Sequence, residues 1–526
     1  MPRGPVCAAP LVCETHARDP RARSMNQIDE GDPMSDTTAE RSESVQPSPD
    51  LDVAMAAAVK ASPLLAATAP AERAVWLRAI ADALDADADT LVPLAMSESH
   101  LPEQRLTGEL VRTTFQLRLF AELLERGAYL EAAVDHADPT WGMGPRPDLR
   151  RVLRPLGVAA VYAASNFPFA FSVPGGDTAA AIAAGCPVVV KAHPAHPELS
   201  RAVASHIEGA LRASGAPDGT FALVEGLQTG RDLVLHPDLT VATFTGSLRG
   251  GRALFDLAAS RPTPIPFYGE LGSVNPVFVT ASAAAARAEE IATGFAGSMT
   301  LGVGQFCTKP GVLLVPRGAG IEPLVVDAVR ASSGGVMLDD KIRDGFFSGL
   351  GTLADRSDVE LLAGDPTSAD VPTPTLYATD AAALLAHPHE LLEEHFGPAA
   401  LLVRYDSPDE AVAIANALEG QLTATVQSEE GDADAAALVS VLADKAGRVL
   451  WNGWPTGVTV SYAQQHGGPY PATTAPHFTS VGTASIARFL RPVAYQGVPD
   501  AVLPPSLQDA NPWGIPRTVD GALLVE

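Results

Sequence analysis

The sequence predicts an α/β protein made of two doubly wound units, and three observations carry that expectation. With 526 residues the chain exceeds one ordinary core of roughly 100–200 residues. Short apolar runs of strand type alternate with helix-type segments through its middle. After Glu270 the alternation starts afresh, as a second unit requires.

The elements follow in order. Residues 1–50 are rich in Pro, Ser, Asp, Glu and Arg and poor in aromatics, the composition of a disordered tail. Residues 52–99 read as helical, because Val75, Leu77, Ile80, Leu84 and Leu91 recur at helical spacing. A further helix is expected over 107–126, with Leu110, Phe115, Leu117, Leu119 and Phe120 as its apolar residues. The polar, proline-containing stretch 136–150 reads as an excursion or hairpin. At Gly157 the period changes. Apolar runs at 157–164, 187–191, 221–225 and 239–244 read as buried parallel strands, with helices at 176–184, at 197–213 and from Gly246 onward. In the second unit, strands are expected at 275–279, 311–315, 400–405 and 422–426, and helices at 283–299 and 408–418. The proline-rich end from Arg491 reads as an extended arm.

Composition narrows the function. Hydrophobic residues make up 46% of the chain, enough for a large core, and the formal net charge is −26. That charge argues against a nucleic-acid-binding surface and a polybasic membrane anchor, both of which need clustered Lys and Arg. The longest apolar candidate, 173–190, is broken by Asp177 and Pro187, so no membrane span is expected. The N-terminus lacks the continuous apolar run of a secretory signal. The four cysteines, Cys7, Cys13, Cys186 and Cys307, contain no C-x-x-C pair. Neither a metal nor a disulfide framework is expected, and the cytoplasm is the expected compartment.

Taken singly, the chemical motifs are weak. Gly246-Ser-Leu-Arg-Gly-Gly251 follows a strand and opens a helix, where free N–H groups suit a phosphate, but a structural turn looks the same. Cys307 alone reads as a small buried hydrophobe, Glu270 as a paired surface acid, and Asn166 before Phe-Pro as a turn residue. Their order along the chain discriminates. Ala164-Ser-Asn166-Phe-Pro168-Phe, Val-Val-Val-Lys191, Phe244-Thr-Gly-Ser247, Glu270-Leu-Gly272, Gly304-Gln-Phe-Cys307 and Glu393-Glu-His-Phe396-Gly-Pro398 follow one another. From about residue 52 to about residue 500 the chain thereby resembles the aldehyde dehydrogenase superfamily.

The resemblance implies a Rossmann-like cofactor domain over 51–271 with an oligomerisation excursion at 136–155. It also implies a catalytic domain over 272–480 and an oligomerisation arm over 481–526, in a homodimer or homotetramer. The implied chemistry starts with attack of Cys307 on an aldehyde. Asn166 and the Cys307 backbone N–H stabilise the alkoxide, hydride leaves to NADP or NAD, and Glu270 activates the water that hydrolyses the thioester. A carboxylate suits that role once burial has raised its pKa. Lys191 is implied at the adenosine ribose, Gly246, Ser247 and Gly251 near the pyrophosphate, and Glu394 and Phe396 at the nicotinamide ribose.

Departures from the common pattern refine this. In Lys191-Ala-His193-Pro194, proline stands where NAD-preferring members carry a glutamate for the 2′-hydroxyl. Without that carboxylate a 2′-phosphate is not repelled, so NADP is the expected cofactor and NAD a possible one. His193 either joins Lys191 in attracting the phosphate or is a loop residue. Ser273 replaces a glycine, with small expected effect. Lys309 either favours the thiolate or, as preferred here, points to solvent. Arg112-Thr-Thr-Phe-Gln-Leu-Arg118, Asn452-Gly-Trp-Pro-Thr-Gly-Val and His466-Gly-Gly-Pro-Tyr-Pro-Ala-Thr resemble one branch, the NADP-type 2,5-dioxovalerate (α-ketoglutaric semialdehyde) dehydrogenases. Because that branch includes long-chain fatty aldehyde dehydrogenases, a long-chain aldehyde is the alternative to 2,5-dioxovalerate. The distal carboxylate of the latter needs a buried cation or several donors. Arg112 and Arg118 lie on different helix faces, so at most one reaches the pocket. Otherwise both pair with Glu109 and Glu122 of their own helix, and the loop 452–459 supplies the donors. The rival classes are a non-redox cysteine hydrolase or acyltransferase, against which the cofactor segments argue, and a non-catalytic scaffold, against which Asn166, Glu270 and Cys307 argue.

Overall fold

The computed structural model describes residues 51–367 and 371–525. The expected N-terminal tail, with Cys7 and Cys13, lies outside the described residues.

A wholly parallel five-stranded sheet has the order Phe221–Val224, Val188–Lys191, Ala159–Tyr162, Val241–Thr245, Phe267–Glu270. The chain works outward from Ala159–Tyr162 in one direction and then in the other, so the sheet is doubly wound. Its strands alternate by residue: Ala159, Val161, Val188 and Val190 join one buried cluster. Ala160, Tyr162 and Val189 join another on the opposite face. Such two-sided burial explains why these strands read as continuous apolar runs. Helices Pro70–Ala86, Glu103–Arg126, Gly176–Ala184 and Pro197–Ala213 cover the first face. Helices Leu51–Ala67, Leu227–Leu235 and Leu248–Ser260 cover the second.

A seven-stranded sheet has the order Glu360–Ala363, Thr375–Asp380, Ala399–Tyr405, Val312–Pro316, Val277–Val279, Gln421–Gln427, Ala446–Trp451. All its neighbours are parallel except the first pair. A third sheet joins Leu490–Gln496 and Leu149–Pro155, Ala133–Asp135, Arg517–Val519 and Ala522–Leu524. The excursion and the C-terminal arm thus lie in one sheet. Among the described residues, no helix is long and apolar enough to cross a membrane.

Two expected core residues face outward. Val75 is 54% and Phe115 52% exposed, because each lies off the buried i, i+3, i+4 stripe of its helix.

This topology creates one meeting line. Asn166, Lys191, Ser247 and Glu270 lie at or just beyond the carboxyl ends of the first sheet's strands, where parallel sheets leave a crevice. Asn275, Cys307, Phe396 and Gln421 lie at or just before the amino ends of strands in the second sheet. The chain passes directly from Glu270 to the strand Val277–Val279 and so stitches the two edges together.

Gly304 shows how closely the loops on that line approach. Its φ is +66°, and a Cβ there would stand 2.3 Å from the Gly397 carbonyl oxygen. Alanine would meet both left-handed strain of about 1–3 kcal/mol and a backbone collision. Gly431 has φ +84° but no atom within 4 Å of its Cβ position. Gly304→Ala should therefore lower the midpoint of thermal unfolding clearly more than Gly431→Ala. Equal losses would contradict the close packing of these two loops.

Candidate active site

The carboxylate comes first. Glu270 ends the strand Phe267–Glu270, and the segment 466–480 is laid across that strand end. Leu271 donates its N–H to Ala472 O at 2.8 Å, and Thr474 donates to Gly269 O at 3.0 Å. This pairing brings His466 and Ser480 onto the Glu270 side chain. His466 Nε2 lies 2.9 Å from Glu270 Oε1 and 3.6 Å from Cys307 Sγ. The Ser480 hydroxyl donates to Glu270 Oε2. His466 is fully buried and Glu270 is 4% exposed.

Burial pushes the Glu270 carboxyl upward, but the adjacent His466 ring and the Ser480 hydroxyl outweigh it. The group lies below the ordinary carboxylate value, which corrects the expectation of a raised one. Cys307 moves the other way. Burial and the carboxylates of Glu270 and Glu394 push its thiol well above the usual range, against the smaller pull of Arg448. The resting arrangement is a neutral thiol beside a carboxylate, with an imidazole touching both.

A buried polar network fixes the Cys307 loop. The Asn275 side-chain amide donates to Cys307 O at 2.8 Å and to Lys309 O at 2.9 Å. Asn275 has φ +50°, a conformation that asparagine tolerates better than most residues. Gln421 Oε1 accepts the N–H groups of Val274 and Asn275, and the Ser273 hydroxyl sits 2.9 Å from Asn275 Oδ1 and from Gln421 Oε1. Ser273 is thus a hub of this network and not a minor replacement. Lys309 does not reach solvent. It is buried, and its Nζ donates to His395 O at 2.9 Å and Ala399 O at 2.7 Å. It therefore ties the Cys307 loop to the loop bearing Glu394 and Phe396. Burial pushes the Glu394 carboxyl up and the Lys309 ammonium down, while their mutual attraction opposes both shifts.

Asn166 is buried, with Nδ2 donating to Gln305 O at 3.0 Å, two residues before Cys307. Its second amide N–H is not used by that bond. Glu109 holds the adjoining turn by accepting N–H groups from Phe169 and Ala170 at 2.8 and 3.0 Å.

A cleft of about 610 Å³ lies beside the site, lined by Ser247, Arg249, Arg252, Gly272, Glu394 and Gln421 among others. Ser247 caps the helix Leu248–Ser260 by accepting the Gly250 N–H, so the helix start faces this cleft with two arginines nearby. Gly246 is exposed at the end of its strand. Gly251 is buried: a Cβ there would lie 2.1 Å from Leu271 Cδ2, so it serves helix–strand packing and not the cleft. Phe396 is half-buried against the first core. Lys191 stands at its strand end beside Tyr162 and Gly230. Burial and the neighbouring His196, Lys191 and Lys341 lower the pKa of His193 to about 3. Its Nδ1 accepts the Ala195 N–H at 3.1 Å, which braces the loop.

On the other side of Cys307, the ring of Phe171 lies 6.3 Å from that of His466, and the Arg112 guanidinium lies 5.3 Å from Phe171. Arg112 Nε donates to Val458 O at 3.4 Å, while Nη1 is buried without a partner. Its charge is felt by both Cys307 and Glu270. Arg118 faces away, paired with Asp82 and Asp85 of another helix and not with Glu122. Of the two arginines, only Arg112 is brought toward the site. Asn452 is engaged by Arg287 and Ser428. His466 stood in a quoted motif without a role. No local spacing flags it, because it meets Cys307 across 159 residues of sequence.

Comparison with known proteins agrees with this geometry. The sequence profile described as "Aldehyde dehydrogenase family" matches residues 21–361 and 382–470. The chain is 48% identical to "Alpha-ketoglutaric semialdehyde dehydrogenase 2" of Azospirillum brasilense, covering 88% of this chain and 89% of that protein. It is 44% identical to "Alpha-ketoglutaric semialdehyde dehydrogenase" of Acinetobacter baylyi, covering 90% and 91%. An NAD-dependent aldehyde dehydrogenase from Sinorhizobium meliloti superposes with a TM-score of 0.71 at 25% identity, covering 85% of this chain and 87% of that one.

The ionisation pattern predicts a pH dependence. Because the Cys307 pKa is raised, its thiolate fraction should climb about tenfold per pH unit through pH 9. Iodoacetamide alkylation of the cofactor-free protein should follow that climb without a plateau. Glu270→Gln removes a like charge, so alkylation at a given pH should be faster. A plateau near pH 7 in the parent would refute the assigned resting state.

Proposed function

The chain belongs to the aldehyde dehydrogenase family, and we propose that it oxidises 2,5-dioxovalerate to 2-oxoglutarate with NADP as the preferred electron acceptor. The observation that carries the reaction is the contact of His466 with both Cys307 and Glu270. As Sγ attacks the aldehyde carbon, the thiol proton passes to the Glu270–His466 pair beside it and on to solvent. The alkoxide takes hydrogen bonds from the free Asn166 amide N–H and the Cys307 backbone N–H. NAD(P), when bound, would supply the hydride acceptor, and Cys307 would then carry the acyl group as a thioester. Glu270, with His466 beside it, then takes a proton from water, and hydroxide displaces the thiolate to give the carboxylic acid. Asn275 and Lys309 hold the nucleophile loop throughout. The cleft between Ser247 and Glu394 would hold the cofactor: the helix start at Ser247 with Arg249 and Arg252 would hold the pyrophosphate, and Glu394 the nicotinamide ribose. The sheet over 159–270 then serves the cofactor and that over 277–451 the catalytic loop.

The substrate rests on two supports. Two relatives named for this semialdehyde share 44% and 48% of their aligned residues with the chain. Arg112 supplies a buried guanidinium with an unpartnered N–H group beyond Phe171, suited to a distal carboxylate. A long aliphatic aldehyde would leave that group unpaired. The exposed apolar strand Ala522–Leu524 fits a second copy of the chain, and hence a homo-oligomer. The free thiols of Cys186 and Cys307 fit a reducing cytoplasm.

Steady-state kinetics test the reading. Arg112→Leu should lower kcat/KM for 2,5-dioxovalerate about 10–100-fold, from one charge-assisted contact, and much less for a saturated aldehyde of similar length. A parent enzyme that prefers the uncharged aldehyde would overturn the substrate. For the cofactor, Glu225 near Lys191 is paired with Arg201 and Pro194 offers no carboxylate. NADP should therefore serve at least as well as NAD, and Pro194→Glu should penalise NADP selectively. Refusal of NADP by the parent would overturn that preference.

A further inference from the structure

The cluster that performs the chemistry also has the makings of a metal site. Cys307 Sγ, His466 Nε2 and one Glu270 oxygen all lie within 4.8 Å of one another. We propose that this trio is an inhibitory zinc site, which captures Zn²⁺ between nucleophile, histidine and carboxylate and withdraws the thiol from catalysis.

Ligand type, spacing and charge all support it. Thiolate, imidazole and carboxylate are the three donors zinc takes, and three protein ligands leave the open position usual for an exchangeable zinc. Tetrahedral zinc with bonds of about 2.3 Å to sulfur and 2.0–2.1 Å to nitrogen sets those atoms about 3.5 Å apart. The observed Sγ–Nε2 separation is 3.6 Å. The Nε2–Oε1 distance is 2.9 Å and must open by about 0.4 Å, which is a small side-chain motion. On binding, the Cys307 thiol proton is lost to solvent, and the imidazole binds through neutral Nε2. Two charges on zinc then balance one on the thiolate and one on Glu270. The Glu270 carboxylate beside the sulfur opposes a second negative charge there, and a bound cation removes that opposition. Glu394 favours the ion further, while Arg448 works against it.

The surroundings also say why the metal inhibits and does not reside. A zinc-bound His466 carries its proton on Nδ1, and Nδ1 is buried without an acceptor. Missing outer partners of this kind weaken metal sites about 10–100-fold. Binding should be reversible by chelators, and the oxidation reaction needs no zinc. Mg²⁺ and Ca²⁺ prefer oxygen ligands and should not compete.

The test uses the full-length, cofactor-free enzyme. It is incubated with zinc chloride and then with iodoacetamide, and alkylation of Cys307 is read by peptide mass spectrometry. Zinc should slow that alkylation at least about tenfold, because the thiolate is its target, and EDTA should restore it. Equilibrium dialysis should find zinc that is lost in His466→Gln and in parent enzyme whose Cys307 is already carboxamidomethylated. Cobalt(II) should give a thiolate charge-transfer band in the parent and none in Cys307→Ser. Undiminished protection in His466→Gln, or no protection at about 100 μM zinc, would overturn the proposal. If His466→Gln fails to fold, the carboxamidomethylated parent decides. The inhibitory consequence rests on Cys307 being the nucleophile. Aldehyde oxidation assayed in EDTA checks that separately, and its absence would overturn the proposed function while leaving the zinc result standing.

Discussion

The catalytic cleft depends on one side chain, the amide of Asn275. It sits on the short crossing from the first sheet to the second, five residues after Glu270. From there it holds the carbonyls of Cys307 and Lys309. Glu270 and the anchor of the Cys307 loop are therefore fixed by the same stretch of backbone. Their separation cannot drift unless a buried network opens, and each buried polar group left unpaired costs about 1–3 kcal/mol. Ser273, Gln421 and Thr423 supply the remaining partners that hold this amide in place.

Around that anchor the charges are arranged in opposed pairs. Glu394 stands against Lys309, and Arg488 against Asp177. Burying any one member alone would be expensive, whereas paired members can stay at the site. The net effect on the thiol is repulsive, because two carboxylates face it. A neutral thiol is a poor target for oxidants, since the thiolate is the form that reacts.

The sequence was most legible where period and burial coincide. The helices at 176–184 and 197–213 have the expected limits, because small residues and amphipathic spacing marked them. Eight parallel strands lie within a few residues of the expected runs, since burial on both faces makes them continuous apolar runs, whereas the parallel strands Phe267–Glu270 and Ala446–Trp451 carry no such run. Helices Ile321–Arg330 and Asp340–Ala354 and the strand Thr375–Asp380 were not read at all. One helix carries Pro323, the other three glycines, and the strand is six residues long, so tertiary packing supplies the rest. Ordered motifs marked Cys307, Glu270, Asn166 and Glu394. What they could not carry was electrostatics. The direction of the Glu270 shift depends on His466, which arrives from 196 residues further along the chain. Lys309 looked like a surface lysine because nothing in its neighbours reveals the two carbonyls it meets. Arg112 and Arg118 were separable only once Asp82 and Asp85 were seen to take the second.

The Lys309 tether has a consequence for protein engineering. Its ammonium joins the segment after Cys307 to carbonyls at residues 395 and 399, and Gly304 presses on Gly397 a few residues away. These two stretches form one mechanical module although about ninety residues separate them in sequence. Chimeras that import a cofactor loop from a relative while keeping the native cysteine loop will mismatch across this seam. Recombination breakpoints should therefore keep 304–309 and 394–399 from the same parent.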